Sequence, residues 1–245
     1  MPKWNKAKVI KIENETATTK RFWLRAEEGG ETDFIPGQFI TLDLPIHETR
    51  QKRWRSYSIA NAPSDKRLFE LCIVKLEGGL GTTYLFESIA VGSEITYKKP
   101  AGVFTLRKPI ERDLVMICTG TGVAPFRSMI QDIFAQNIPH QSIHLIFGTR
   151  KKEDILYLKE FQKLAEQENS FSYSAALSRE EVLPSDSNVS WHKGYVHKIY
   201  QEQYGDIREN IQFLICGWQN MVDEAEAKLL DQGFERKQVK VELYG

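Results

Sequence analysis

The sequence of 245 residues has few cysteines, no excess of either charge and no long apolar run. Cys72, Cys118 and Cys216 stand far apart, which excludes a disulfide framework, a paired-cysteine zinc site and a four-cysteine iron–sulfur set. Lys plus Arg number 33 and Asp plus Glu also number 33, so the composition does not indicate a nucleic-acid partner. No apolar run reaches the roughly 18 residues of a membrane span, and the N-terminus lacks an apolar signal core. We therefore expect a cytoplasmic protein without a membrane span.

The histidines and serines lack the patterns of two common kinds of enzyme site. Of the five histidines, His192 and His197 are five positions apart, which does not suit a helical metal pair at i and i+4. The sequence also contains no Gly-x-Ser-x-Gly elbow of the kind that acyl-transfer enzymes use. We therefore expect no metal site and no acyl-transfer chemistry.

Residues 1–105 and 106–245 have different hydrophobic patterns. The first part alternates apolar and polar residues in short runs between glycine and proline turns, which predicts an antiparallel β-barrel. The second part alternates continuous apolar runs with helical patterns, which predicts an α/β domain with a parallel sheet and helices on both faces. The predicted strands are 7–12, 21–25, 39–44, 57–60, 69–74, 113–118, 143–147, 171–176, 212–216 and 239–242, and the predicted helices are 83–89, about 126–133, 156–166, 197–204 and 221–232.

The run Arg55-Ser56-Tyr57-Ser58 stands at the start of a predicted barrel strand. Alternation puts Arg55 and Tyr57 on one face of the strand and Ser56 and Ser58 on the other. A guanidinium suits bidentate contact with a pyrophosphate, and a tyrosine can hydrogen-bond a ribityl chain or lie against a flat ring. The plainer alternative is a cross-strand packing tyrosine beside a surface arginine.

A glycine-rich run, Gly78-Gly79-Leu80-Gly81-Thr82, precedes the predicted helix of the first part. Glycines let backbone N–H groups approach an anion closely, and a helix N-terminus favours negative charge. Thr82 can either cap the helix or bind a phosphate oxygen, and these two roles compete. A flexible hairpin loop is the alternative interpretation.

In the second part, Gly120-Thr121-Gly122 follows a strand that should be buried, and Pro125 fits the first turn of a helix. This is the context of a nucleotide-phosphate loop, although the third glycine of the Rossmann pattern is missing. A generic strand-to-helix turn is the alternative.

Another candidate segment, Ser178-Arg179, follows a predicted strand of the parallel sheet. Ser178 and Arg179 could hold an adenosine 2′-phosphate, with Lys193 adding a charge and Tyr195 a stacking ring. The alternative is a serine that caps a turn beside a solvated arginine.

Cys216-Gly217-Trp218 ends another apolar run, at the carboxyl edge where α/β sites form. A cysteine there can lie against a nicotinamide ring, and Gly217 lets a ligand pass close to the backbone. Cys216 can equally be a small buried apolar residue. Near the end of the sequence, Tyr244 can fold back over a cofactor, whereas chain ends usually fray.

Taken in order, these motifs resemble the ferredoxin–NADP+ reductase family, in which an FAD-binding barrel precedes a nucleotide-binding domain. The resemblance extends from Phe34 to Glu242. It includes two further runs, Pro100-Ala101-Gly102-Val103-Phe104 and Phe147-Gly148-Thr149-Arg150. It implies two cofactors, FAD and NADP(H), with NAD(H) as the other nicotinamide nucleotide.

The resemblance also assigns roles on the flavin side. It implies that Arg55 and Thr82 bind the pyrophosphate, that Tyr57 packs against the isoalloxazine and that Ser58 hydrogen-bonds near the flavin N5. The other flavin-side residues that it implies are Ser56, Gly79 and Gly81.

On the nucleotide side, the resemblance implies that Cys216 faces the reactive nicotinamide carbon, that Glu242 relays protons and positions the nicotinamide, and that Tyr244 stacks on the flavin. Together with Ser58, these three are the predicted catalytic residues. The predicted nucleotide-binding residues are Thr121, Gly122, Arg150, Ser178, Arg179, Lys193, Tyr195 and Gly217.

The implied activity is hydride transfer between NADP(H) and FAD, coupled to one-electron exchange with ferredoxin or flavodoxin. Because no four-cysteine set is present, that carrier should be a separate molecule. Lys193-Gly194-Tyr195 after Ser178-Arg179 favours NADP(H), although Gly-Tyr-Val also occurs in relatives that use NADH. Two alternatives stay open: an NADH-dependent reductase that serves flavin or an oxygenase, and a flavin-bearing electron-transfer subunit of a larger complex.

Overall fold

The computed structural model describes residues 3–185, 188–206 and 209–244. By their contacts these residues form two compact units. The first unit runs to Leu106 and includes Ala124–Asn137, and the second comprises Arg107–Val123 and the residues from Ile138 on. A segment of the second part of the sequence therefore packs with the first.

The first unit is built on a six-stranded antiparallel sheet with the order β4-β3-β6-β1-β2-β5. Apolar residues alternate along its strands, so one face of each strand is buried in a common core that includes Phe22, Phe69 and Tyr97. Its elements are β1 (Trp4–Asn14), β2 (Thr19–Ala26), β3 (Phe39–Asp43), β4 (Trp54–Ser58), β5 (Leu68–Val74), α1 (Leu80–Glu87) and β6 (Glu94–Ala101).

Contacts between the two edge strands close this sheet into a barrel. Ile59, directly after β4, forms a bridge with Leu71 of β5. The N–H of Ala60 donates to the Glu70 carbonyl over 2.8 Å. Closure satisfies backbone groups that an open edge would leave unpaired. The predicted antiparallel barrel is thereby confirmed.

The second unit is built on a six-stranded sheet in which every neighbouring pair is parallel, with the order β10-β9-β8-β7-β11-β12. The strands and helices from Asp113 on are β7 (Asp113–Thr119), α2 (Val123–Ala135), β8 (Ile143–Thr149), α3 (Leu158–Gln167), β9 (Phe171–Leu177), β10 (Ser190–Lys193), α4 (Val196–Tyr204), β11 (Ile211–Trp218), α5 (Gln219–Asp231) and β12 (Val239–Tyr244). Of these, α2 packs with the first unit from Ala124 on.

Helices lie on both faces of the parallel sheet. Tyr200 of α4 and Leu229 of α5 share one apolar cluster with Phe213 of β11. On the other face, Phe161 of α3 packs against Tyr173 of β9, with ring centroids 5.5 Å apart. The predicted α/β fold class is confirmed.

The order of the strands reverses between β7 and β11, which are neighbours in the sheet although β8, β9 and β10 separate them in the chain. In open parallel sheets, ligands bind beyond the carboxyl ends of the strands at such a reversal. The turns after β7 and β11 lie at this point of the sheet.

Several details of the strand prediction were wrong. No strand was predicted at Glu94–Ala101 or Ser190–Lys193, yet both form, as β6 and β10. The first has two cations and a proline among its last four residues, and the second is a short polar edge strand, so neither shows the apolar signal of a core strand. The strand predicted at 57–60 begins earlier, at Trp54. None of the described helices is long and apolar enough to cross a membrane.

Candidate functional site

Strand β4 presents the Arg55–Ser58 run to two different environments. In the register with β3, Tyr57 lies opposite Ile40, and Ser56 lies opposite Thr41. Ile40 is buried in the barrel core, whereas the Ser56 and Thr41 hydroxyls meet at the surface over 2.9 Å. Burial raises the pKa of Tyr57 to about 12, so this phenol keeps its proton at neutral pH and can donate a hydrogen bond.

Arg55 lies against the first turn of α1. Its Nη1 donates to the carbonyls of Lys52 and Trp54 over 2.9 and 2.7 Å. A Cβ on Gly81 would approach the Arg55 Nε to 3.1 Å, so the absence of a side chain there leaves room for the arginine. Among the described residues, no partner is found for the Nε and Nη2 of Arg55. A free guanidinium edge beside a helix N-terminus fits the pyrophosphate of a dinucleotide.

The Thr82 hydroxyl is engaged with the glycine-rich loop. Its Oγ1 accepts from the Leu76 N–H over 3.2 Å and lies 3.1 Å from the Gly79 carbonyl, to which it can donate. Thr82 thereby holds the loop that precedes α1 in shape. Of the two competing roles, the structure shows an internal one, and binding of a phosphate oxygen stays a prediction.

In the second unit, the turn after β7 lies directly against the end of β11. A Cβ on Gly122 would collide with the Cys216 carbonyl. Gly217 has φ +151°, and a Cβ there would lie 2.5 Å from the Thr119 Oγ1. Both glycines are buried, and they let the turn after β7 pack against the end of β11 at the point where the strand order reverses. A helix N-terminus beside such a turn suits a nucleotide phosphate, and the binding roles of Thr121 and Gly122 stay predictions.

Cys216, Cys118 and Glu242 form one row across three neighbouring parallel strands. The Cys216 side chain is 0% exposed. Burial raises the pKa of its thiol well above the ordinary value, and the charge of Glu242 and the nearby Cys118 act in the same direction. A hydrogen bond from Tyr244 opposes them. The thiol is therefore neutral at physiological pH, and a thiolate nucleophile is not available here.

Glu242 and Tyr244 lie in β12, which pairs with β11 along its whole length. Tyr244 is opposite Trp218 in this register. Both Glu242 and Tyr244 are half-buried. The last described residues are thus part of the sheet, and their implied roles towards nicotinamide and flavin stay predictions.

Backbone hydrogen bonds bring the segments predicted to bind the 2′-phosphate together. These segments lie at the carboxyl ends of β8, β9 and β10. The Arg179 N–H donates to the Arg150 carbonyl over 2.8 Å, and the Gly194 N–H donates to the Leu177 carbonyl over 2.9 Å. Because Leu177 precedes Ser178, the second bond places Lys193-Gly194-Tyr195 beside Ser178-Arg179.

The side chains of these segments form a cationic surface. Arg150, Arg179 and Lys193 are exposed, and none of them forms an ion pair within the described part of the chain. The Tyr195 ring is 74% exposed. The Ser178 hydroxyl donates to the Thr149 carbonyl over 3.3 Å. Three unpaired cations, a hydroxyl and an exposed ring can bind a phosphorylated ribose with its base.

Two residues of the nucleotide edge were not assigned roles by sequence reasoning. The Trp218 ring is 46% exposed, and its Nε1 would lie 3.6 Å from a Cβ built on Gly120. The Thr119 Oγ1 is buried, with no hydrogen-bond partner among the described residues. The sequence contains a signal for each residue. Trp218 follows a glycine at the end of a strand, and Thr119 places a hydroxyl immediately before Gly120-Thr121-Gly122. Over the described ranges, no cluster of three or more His, Cys, Asp or Glu side chains could hold a metal ion.

Comparison with known proteins matches both halves to described domain families. Residues 6–106 match the oxidoreductase FAD-binding domain, and residues 116–227 match the oxidoreductase NAD-binding domain. Ferredoxin–NADP reductase B of Sorangium cellulosum is 33% identical over 222 residues, which are 86% of this chain and 85% of that protein. The chain belongs to the ferredoxin–NADP reductase-like family of flavin oxidoreductases. The family assignment made from the motifs is confirmed.

Two other similar proteins, one relative and one solved structure, differ in how much of their length this chain matches. The anthranilate 1,2-dioxygenase electron transfer component of Acinetobacter baylyi is 31% identical over 206 residues, and the match covers 82% of this chain but only 55% of that protein. The structure of a ferredoxin NADP+ reductase from Neisseria gonorrhoeae with bound FAD and NADP superposes with a TM-score of 0.82 at 24% identity, covering 99% of each chain. The two-domain fold, an FAD-binding domain and an NAD-binding domain are shared by this family.

Proposed function

We propose that the protein is a ferredoxin or flavodoxin–NADP(H) oxidoreductase, which exchanges electrons between NADP(H) and a separate carrier protein through FAD. The observation that carries the choice of NADP(H) is the cationic surface at the carboxyl ends of β9 and β10. An adenosine 2′-phosphate carries about two negative charges that NAD(H) lacks, so unpaired cations beside Ser178 favour the phosphorylated nucleotide.

FAD, when bound, supplies the chemistry that converts a two-electron hydride into single electrons. The protein contributes binding and placement. Arg55 and the first turn of α1 hold a pyrophosphate, and Tyr57 offers a protonated phenol beside the barrel core. In the other unit, the buried Gly122 and Gly217 let the Gly120–Gly122 turn pack tightly against the end of β11, and this turn would receive the nicotinamide nucleotide. The buried Cys216 thiol and half-buried Glu242 form a wall next to that turn.

The assignment of a carrier protein as partner has support from relatives. Sorangium cellulosum ferredoxin–NADP reductase B is named for this reaction, and the match covers most of both chains.

A second function has an observation in its favour. The relative from Acinetobacter baylyi is an electron transfer component of a dioxygenase, and its identity, 31%, is close to that of the reductase. On this hypothesis the protein uses NADH and serves an oxygenase. The cationic surface would then bind no 2′-phosphate.

Anaerobic reduction of the purified protein distinguishes the two functions. The flavin absorbance is followed after addition of NADPH or NADH in separate titrations. We expect a yellow protein that NADPH reduces with a kcat/KM at least about tenfold above that of NADH. A clear preference for NADH would favour the oxygenase function, and a colourless protein that binds no FAD would contradict both. Saturable reduction of ferredoxin or flavodoxin then tests the partner.

A further inference from the structure

Helix α2 follows directly on a turn of the second unit, although its own residues from Ala124 on are grouped with the first. It begins at Val123, immediately after the Gly120–Gly122 turn that we assign to nucleotide binding. From Ala124 on, the same helix is grouped with the barrel by its contacts. Whatever fixes the helix on the barrel therefore also restrains the residue that follows the turn, because the two are continuous in the chain.

Polar contacts from three residues on two successive turns fix α2 on the barrel. Arg127 Nη1 donates to the Ala60 carbonyl and to a Glu70 carboxylate oxygen, both over 2.9 Å. The Ser128 hydroxyl donates to the Asn61 carbonyl over 2.7 Å. The Gln131 side-chain carbonyl accepts from the N–H of Ala62 over 3.0 Å. Three of these four bonds reach the short segment that links β4 to β5, and the fourth reaches Glu70 of β5.

Apolar contacts complete this attachment. The rings of Phe126 and Phe104 pack with centroids 5.8 Å apart. Met129 of α2 also reaches the barrel, where its Cε would lie 2.5 Å from a Cβ built on Gly37.

The Arg127–Glu70 pair differs from an ordinary surface ion pair because both residues are buried, at 5% and 3% exposure. Glu70 also accepts from the Arg21 Nε of β2 over 2.7 Å, so two guanidinium groups neutralise one carboxylate. Buried ion pairs contribute little net stability compared with apolar residues of the same size, but they allow few geometries. This pair suits a role in setting the position of α2 rather than in stabilising the fold alone.

We propose that Arg127 is a positioning residue for nicotinamide-nucleotide binding. By fixing α2 on the barrel through Glu70 and the Ala60 carbonyl, it holds the Gly120–Gly122 turn, from which the helix begins, in its binding-competent position. This inference rests on the proposed role of that turn. Arg127 itself contacts no nucleotide in this proposal, and its effect is transmitted through the first turn of α2.

The network offers a matched pair of variants. Arg127→Met and Arg21→Met each remove one of the two guanidinium groups that bind Glu70, with similar loss of charge and similar side-chain volume. Arg127→Met removes two bonds between α2 and the barrel, whereas Arg21→Met leaves the bonds from Arg127 to Ala60 and Glu70 in place. Both variants should lower the melting temperature and both should keep FAD.

The decisive measurement is the Kd for NADP+, obtained by titration of the flavin absorbance, together with the rate of flavin reduction at saturating NADPH. We expect Arg127→Met to raise the Kd about tenfold and Arg21→Met to change it less than about twofold, since a shift of about 1 Å in a binding group costs this much or more. Equal Kd values for the two variants would overturn the proposal. If Arg127→Met does not fold, Ser128→Ala provides the test, and an unchanged Kd there would also overturn it.

Failure of the proposed function gives a different result. If the unaltered protein binds neither NADP+ nor NAD+, the turn has no such role and the proposed function fails with it. If the unaltered protein binds NADP+ and Arg127→Met binds it equally well, only the positioning role is wrong.

Discussion

The Tyr244 hydroxyl hydrogen-bonds to the sulfur of Cys216, across the boundary between β12 and β11. This bond favours the ionised thiol, but complete burial and the neighbouring Glu242 charge outweigh it, and the pKa of Cys216 is raised overall. The Cys216 thiol is therefore neutral and lies beside the Tyr244 side chain at the edge of the nucleotide surface. Each can be removed separately, which leads to two predictions.

The first prediction concerns Tyr244 as an obstacle to the nicotinamide. If its ring occupies the position of the nicotinamide, it must move before the nucleotide can bind productively, and this cost lowers the apparent affinity. We expect Tyr244→Ser to lower the Kd for NADP+ about tenfold. Tyr244→Phe is the control, because it keeps the ring and removes the hydroxyl, and it should leave the Kd within about twofold. An unchanged Kd for Tyr244→Ser in the same titration would rule out the obstacle.

The second prediction concerns Cys216 as a neighbour of the reacting nicotinamide. We expect Cys216→Ala to slow flavin reduction by NADPH about tenfold in stopped-flow measurements, because the wall beside the nicotinamide loses its sulfur. The flavin absorbance of the oxidised protein should not change. Cys118→Ala is a closely matched control, since Cys118 is equally buried and opposite Cys216 in the register. If the two variants reduce at the same rate, Cys216 has only a packing role.

The third prediction tests the cationic surface. Arg179→Ala removes a guanidinium that is free of ion pairs among the described residues, and a charge-assisted hydrogen bond contributes about 1.5–3 kcal/mol. We therefore expect kcat/KM for NADPH to fall about tenfold to a hundredfold, with little change for NADH. Lys151→Ala is the control, because Lys151 is also exposed but lies within reach of Glu153. An equal loss for NADPH and NADH in Arg179→Ala would show that the arginine does not read the 2′-phosphate.

Much of this architecture follows from local patterns in the sequence. The apolar run around Met116 predicts a buried strand because both faces of a parallel sheet are covered. Gly122 and Gly217 could be singled out because both follow such strands. The cation at Arg179 is also visible as a residue that follows a predicted strand, whereas β10, which ends at Lys193, gives no strand signal in the sequence.

The remaining features depend on contacts that no local pattern encodes. Arg127 and Glu70 are 57 positions apart, and their pairing requires both the closure of the barrel and the placement of α2 on it. The contact between Tyr244 and Cys216 depends on β12 joining the edge next to β11. Sequence periodicity identifies which face of a strand is buried, but not which strand will be its neighbour.

A buried histidine makes the stability of the second unit depend on pH. His144 is 4% exposed, and its ring nitrogens lie 2.7 Å from the Tyr204 hydroxyl and 2.8 Å from the Ser174 hydroxyl. Burial, with a smaller contribution from the charge of His192, lowers the pKa of His144 to about 4. An unfolded histidine titrates near 6.5, so between these two values the unfolded chain binds more protons than the folded one.

The stabilising contribution of neutral His144 is therefore complete above about pH 6.5 and is lost as the pH falls to about 4. It amounts to on the order of 3 kcal/mol, the product of the pKa difference and about 1.4 kcal/mol per unit. We expect the difference in unfolding free energy between the unaltered protein and His144→Gln, measured with urea, to shrink by about this amount between pH 7 and pH 4.5. Phe161→Leu is the control, because it removes a buried ring on α3 and leaves His144 and its two hydrogen bonds in place, so it should lower the free energy of unfolding equally at both pH values. A pH-independent difference for His144→Gln would mean that His144 titrates in the folded protein as it does in the unfolded chain. Some pH dependence should persist in the variant, since burial also lowers the pKa of His192 and of His197.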